Sequence, residues 1–186
     1  MSRTEVRLSG FGGQGIILAG FIVGQAAAIY DGKNATFTQA YGPEARGGSC
    51  SAQVVITDEQ GAYPYVSNPS VVVAMSQEAY TKYAAQVGDS VRVIIDEDLV
   101  RLGKSQGGRI LTVPATRIAQ EMGRSAVANI VMLGFLAAVT DIASVEAMRK
   151  SVLDSVPKGT EALNTNAFNR GYECGVEKIK ATGEKK

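Results

Sequence analysis

An apolar strand that breaks into glycines and continues as an apolar helix constrains this chain more than any other feature. Glu5-Val6-Arg7-Leu8-Ser9 runs into Gly10-Phe11-Gly12-Gly13-Gln14-Gly15, with glycines at G-x-G-x-x-G spacing, and Ile16-Ile17-Leu18-Ala19 follows directly. The pattern predicts a Rossmann-like βα turn. Gly10 would permit the tight turn, Gly12 would let backbone N–H groups approach a ligand, and Gly15 would let the helix close onto the strand. Free N–H groups at the start of the helix attract anions.

Dinucleotide binding needs a second feature, a carboxylate near the end of the next strand to take the ribose hydroxyls. The helix predicted from Gly15 to Tyr30 ends at Asp31-Gly32-Lys33, and the next extended run, Ala35-Thr36-Phe37-Thr38, leads to Gln39-Ala40-Tyr41 without one. Asp31 precedes that strand and reads as helix-ending turn chemistry beside Gly32.

Composition narrows the chemistry further. The 186 residues suit one domain and include 19 Lys plus Arg against 18 Asp plus Glu, so no net field draws the chain to nucleic acid or an anionic membrane. Histidine is absent, which removes Ser-His and Cys-His nucleophile pairs and the usual general base at neutral pH. Cys50 and Cys174 lie far apart and form no CxxC, so the chain offers no iron–sulfur or zinc site and both read as free, partly buried thiols. With no signal peptide pattern and no apolar run long enough to insert in a membrane, a cytoplasmic location is expected.

Strands are predicted at Cys50–Thr57, Val71–Met75, Val91–Ile95 and Ile110–Val113, with a Ser76-capped helix after the second. Helices are expected over Ala115–Met122, Ala126–Thr140, Val145–Val156 and Glu161–Lys180. The alternation implies a Rossmann-like three-layer α/β/α open sheet, mostly parallel and covered on both faces. Two helices, Ile16–Ile29 and Asn129–Val139, are apolar nearly all round. Each is a central helix covered by its own chain or part of a subunit interface.

A second loop, Tyr41-Gly42-Pro43-Glu44-Ala45-Arg46-Gly47-Gly48-Ser49, combines a Pro turn, a carboxylate, a fixed cation and paired glycines. Arg46 presents a planar fork suited to carboxylate or phosphate. An internal Glu44–Arg46 pair or a solvated turn is the structural alternative. The two loops in this order, then Tyr63-Pro64 ahead of a strand ending Ala74-Met75-Ser76, then Asn129-Ile130-Val131-Met132-Leu133-Gly134 and Ala167-Phe168-Asn169-Arg170-Gly171-Tyr172, resemble the gamma subunit of 2-oxoacid:ferredoxin oxidoreductases. The likeness spans essentially the whole chain, residues 1–186, as one gamma-type domain. Tyr41, Ala45 and Gly48 bring it nearest the 2-oxoglutarate branch.

The resemblance implies a multisubunit, thiamine diphosphate-dependent enzyme. It would decarboxylate a 2-oxo acid, pass electrons through iron–sulfur clusters to ferredoxin or a similar acceptor, and release an acyl-CoA. Thiamine diphosphate, Mg²⁺ and the clusters would lie on partner subunits, and no cofactor would be held by this chain alone. Its glycine loops would shape the coenzyme A or substrate approach. Gln14, Glu44 and Arg46 would supply polar contacts, and Gly10, Gly12, Gly13, Gly15, Gly47 and Gly48 close backbone. A stand-alone NAD(P) dehydrogenase and a noncatalytic nucleotide- or CoA-binding module remain as other readings. Because the ribose carboxylate is missing, the isolated chain is expected to bind NAD(H) and NADP(H) weakly or not at all in titration calorimetry. Micromolar affinity, about −8 kcal/mol, would restore the dehydrogenase reading.

Overall fold

The computed structural model describes residues 3–42, 48–58, 63–103 and 108–183. Its six strands form one sheet in the order β2-β3-β1-β4-β5-β6. They are β1 (Arg3–Phe11), β2 (Asn34–Tyr41), β3 (Ser49–Thr57), β4 (Val71–Ala74), β5 (Arg92–Asp96) and β6 (Arg109–Val113). The helices are α1 (Ile16–Gln25), α2 (Gln77–Tyr83), α3 (Ala115–Glu121), α4 (Ala128–Val139), α5 (Val145–Ser155) and α6 (Glu161–Thr182). β1, β4, β5 and β6 run parallel, whereas β3 is antiparallel to both β1 and β2. The mostly parallel Rossmann-like sheet is therefore present, with one reversed strand inside it.

That strand changes what the first βα unit can do. In a Rossmann unit the second strand lies beside the first, about 4.8 Å away. Here β3 is interposed, so the crest of β2 sits roughly twice that distance from the glycine loop. The ribose position is blocked by topology as well as by the missing carboxylate.

The two faces of the sheet are covered unequally. Val6, Leu8, Val54, Val73, Ile94 and Leu111 meet α1, α3, α4, α5 and α6 in the main core. The opposite face carries a second core in which Val72, Ala74, Val93 and Ile95 meet Ala79 and Tyr80 of α2. A segment before β4 covers part of the rest of this face, and side chains of the sheet hold it by its backbone. The buried carboxylate of Glu5 accepts from Ser67 N at 2.5 Å, Asn68 N at 2.7 Å and Arg3 Nε at 2.6 Å. Burial raises its pKa, but these donors outweigh that and hold it below the ordinary value. The Oε1 of Gln53 accepts from Val66 N, and Arg7 Nη2 donates to Val66 O.

The predicted first helix changes pitch before it ends. α1 passes into a π-helical turn, Ala26–Tyr30, which stops at Asp31 and at Gly32 with φ +66°. Asp31 does more than end the helix, because its carboxylate accepts from the N and Oγ of Ser144, the cap of α5, at 2.6 and 2.7 Å. The predicted helix start at Ala126 is a short 3₁₀ turn, Ser125–Val127, leading into α4.

All twelve residues of α4 are buried within the one chain, so this helix is the central one rather than an interface. α6 crosses it with the two backbones in contact. A Cβ added at Gly134 would fall within 3.0 Å of Phe168 O, and one at Gly171 within 3.0 Å of Val131 O. One at Gly175 would strike the methyl of Ala138. Gly171→Ala is therefore expected to lower stability by about 3 kcal/mol in urea unfolding. Gly88→Ala, where a Cβ meets nothing within 4 Å, is expected to be close to neutral. Equal midpoints for the two variants would refute the backbone contact.

Candidate functional site

β1 sends its connection toward β2, and β4 sends its own toward β5, so the connections diverge between neighbouring strands β1 and β4. In open α/β sheets, ligands bind outside the carboxyl ends of the strands at such a switch point. A cleft of about 400 Å³ lies there, lined by Gly13, Gln14, Met75, Leu99, Thr116, Ser125, Ala126 and Ala128. A larger opening of about 660 Å³, lined by Asn68, Pro69, Ser70, Val87, Gly88, Ser90 and Val91, has no ionisable side chain among its described lining residues. A cavity of about 180 Å³ is built from α5 and α6 alone.

Two helices begin at the crest cleft. α1 and α4 have no side-chain cap at the N-cap position and no acidic residue in the first turn. Their N-terminal dipoles direct partial positive charge toward the cleft, with no counter-charge from those turns. Asn129 holds the two starts together, donating Nδ2 to Gly15 O at 3.2 Å while its Oδ1 accepts from Ile130 N at 2.9 Å.

The glycine roles differ from the sequence expectation. Gly10 lies within β1 and forms no turn; a Cβ there would strike Gln14 Oε1 and Ile16 Cδ1. The turn uses Gly13 at φ +97° and Gly15 at φ +70°. Gly15 is tight against Asn129 of α4, not against the strand. Gly12 N donates to Gly48 O at 2.8 Å. This bond continues the β1–β3 ladder in register, so that N–H is spent on the fold, and the first and second glycine loops are joined. Glu44, Arg46 and Gly47 lie outside the described residues.

Gln14 is committed internally although it lines the cleft. Its Oε1 accepts from Phe11 N at 2.6 Å and its Nε2 donates to Met75 O at 2.7 Å. The amide bridges the crests of β1 and β4 across the switch point. Asp96 does similar work beside it. Fully buried at the end of β5, it accepts from Thr116 N, Thr116 Oγ1 and Asp98 N, tying the start of α3 to the sheet. Burial pushes its pKa up, opposed by those hydrogen bonds. The sequence pointed to neither Asn129 nor Asp96 as a site-shaping residue. The signal available was a polar residue closing or opening an otherwise apolar run.

Among the described residues the lining consists of amide, hydroxyl, thioether and alkyl groups, with no ionisable side chain to transfer a proton. Both cysteines are free, and burial raises both thiols above the ordinary value. Among the described residues no group of three or more His, Cys, Asp or Glu could hold a metal ion, and no helix is long and apolar enough to cross a membrane. The arrangement can bind and orient an anionic or polar group.

The family model described as pyruvate ferredoxin/flavodoxin oxidoreductase matches residues 5–174. A Methanocaldococcus jannaschii protein named 2-oxoglutarate synthase subunit KorC is 53% identical over 178 residues, spanning 94% of this chain and 95% of that protein. Pyruvate synthase subunit PorC of Methanothermobacter thermautotrophicus is 33% identical over 95% of this chain and 97% of its own. The solved keto/oxoacid ferredoxin oxidoreductase gamma subunit of Geobacter sulfurreducens superposes with a TM-score of 0.82 at 40% identity, covering 94% of this chain and 99% of that one.

Gln14→Glu tests the bridge, because a carboxylate cannot donate to Met75 O. The variant's folded pKa should be raised, since only the protonated form makes that bond. It should match the wild type below about pH 4.3 and lose about 2 kcal/mol as pH rises. Pair the two in denaturant melts across pH; parallel curves would show that Gln14 does not donate there.

Proposed function

The chain belongs to the pyruvate ferredoxin/flavodoxin oxidoreductase family, and on that footing we propose that it is the gamma subunit of a 2-oxoglutarate:ferredoxin oxidoreductase. The observation that carries this reading is the 53% identity to a KorC subunit across nearly the full length of both chains. The reaction is oxidative decarboxylation: the 2-oxo acid loses CO₂, its acyl carbon passes to the sulfur of coenzyme A, and two electrons leave for ferredoxin or a similar acceptor. The assembled enzyme works in the cytoplasm.

The proposal places thiamine diphosphate with its Mg²⁺ and the iron–sulfur clusters on partner subunits. A cluster takes four thiolates, and the sequence has two cysteines. No bond-making step is assigned to its residues. They supply a rigid surface at the crest, where Gly13, the uncapped starts of α1 and α4, and Thr116 face an anionic portion of coenzyme A or substrate held mainly by partner subunits. Gly12 and Gly48 brace that surface through their shared hydrogen bond. Glu44, Arg46 and Gly47 lie in sequence between Gly42 and Gly48, and the proposal assigns the Arg46 fork to a carboxylate or phosphate.

The test is reconstitution. The chain alone should show no oxidoreductase activity. Co-expressed with its companion subunits, it should complete 2-oxoglutarate- and CoA-dependent reduction of ferredoxin or viologen, with branched-chain 2-oxo acids and pyruvate as weaker substrates. Full turnover and CoA dependence in a complex lacking this chain would refute the assignment.

A further inference from the structure

The β2 edge of the sheet lacks the usual defences against another strand. β2 has no charged residue and no proline, and it pairs with β3 over its whole length without a bulge. The opposite edge is better guarded. β6 carries the exposed Arg109, and Lys178 of α6 donates to Thr112 Oγ1 at 3.2 Å.

The phase of the β2–β3 ladder follows from one bond. Gly42 N donates to Ser49 O, so Thr36, Thr38 and Ala40 bond to β3. Ala35, Phe37, Gln39 and Tyr41 then direct their N–H and C=O groups outward, where no described residue takes them. Thr38 Oγ1 is buried and has no hydrogen-bond partner among the described residues. Above this edge rides α1 with Phe21, 47% exposed and edge-to-face on Phe37 at 6.2 Å; Ile29, in the π turn that follows, is 69% exposed.

We propose that this edge pairs with β2 of a second copy of the chain, antiparallel about a twofold axis at Thr38. The edge is self-complementary in that register. Ala35 falls opposite Tyr41 and Phe37 opposite Gln39, each pair twice, so every outward backbone group of these four residues gains a partner. An uncharged strand can face itself without like-charge opposition, which is the condition for a self-paired edge. Thr38 meets Thr38 in a non-hydrogen-bonded pair, the close geometry in which a rotation about χ1 brings the hydroxyls, buried in the single chain, to bond each other. The exposed Phe21 side chains come toward each other over the seam. This interface is independent of the assignment of the reaction.

Sedimentation of the full chain should show a dimer. Gln39→Pro removes an outward N–H and leaves the β3 ladder intact, so it should give a monomer with unchanged circular dichroism. Thr38→Cys should form an interchain disulfide under mild oxidant where the wild-type chain does not, since facing Cα atoms about 4.5 Å apart suit one. Ala40→Cys should link to Thr36→Cys in a mixture but not to itself. A monomeric wild type, a dimer that survives Gln39→Pro with its fold intact, or failure of Thr38→Cys to cross-link would overturn the proposal. If Gln39→Pro does not fold, the cysteine pairs decide.

Discussion

Two helices touching through their backbones hold this structure in place. Gly134 of α4 faces Phe168 O, and Gly171 of α6 faces Val131 O, at separations that leave no room for a methyl group. Such contact brings Cα–H groups against carbonyls and lets α6 cover a helix that has no polar face of its own. Once α4 is fixed, Asn129 at its start lies under Gly15, and the start of α1 is fixed with it. The cleft between those helix starts is thus set by packing up to a turn and a half along α4, since Gly134 lies about 7.5 Å of helix rise beyond Asn129.

The reversed strand β3 is the second constraint. Placed between β1 and β2, it converts a nucleotide-type βα unit into a braced one. The N–H of Gly12, which would face a pyrophosphate in a dinucleotide site, is taken by Gly48. The same insertion carries β2 out to the sheet's edge. One topological change therefore removes a ligand site, links the two glycine loops and exposes a pairing edge.

Much of this was legible in the sequence because it is local. Ser76 caps α2 as its position before Gln77 implies, and the β5 run ends at Asp96. What was not legible depends on contacts distant in sequence. Glycine spacing marks a turn but not which glycines carry positive φ, so Gly10 was read as the turn when its role is to leave room for Gln14. Nothing local marks Glu5 as a structural carboxylate, because its partners Ser67 and Asn68 lie some sixty residues away. The π turn after Gln25 has no propensity signal at all in an Ala-Ala-Ala run. The apolar helices left two readings open, and α4 and α1 resolve differently. α4 is buried throughout by its own chain, whereas α1 keeps Phe21 half in solvent.

The polar groups at the crest explain why a chain with so few reactive side chains can still matter to a reaction. Gln14, Asp96 and Asn129 direct their hydrogen bonds at the protein's own backbone or a neighbouring hydroxyl. Groups used this way cannot also move protons, but they hold Gly13, Thr116 and two helix starts in fixed positions. Preorganised dipoles act without reorganising during the reaction. Under the proposed function, a subunit built on this plan contributes geometry and field rather than a reacting side chain. Substitutions at its crest should therefore be read through assembly and substrate binding rather than through loss of a catalytic group.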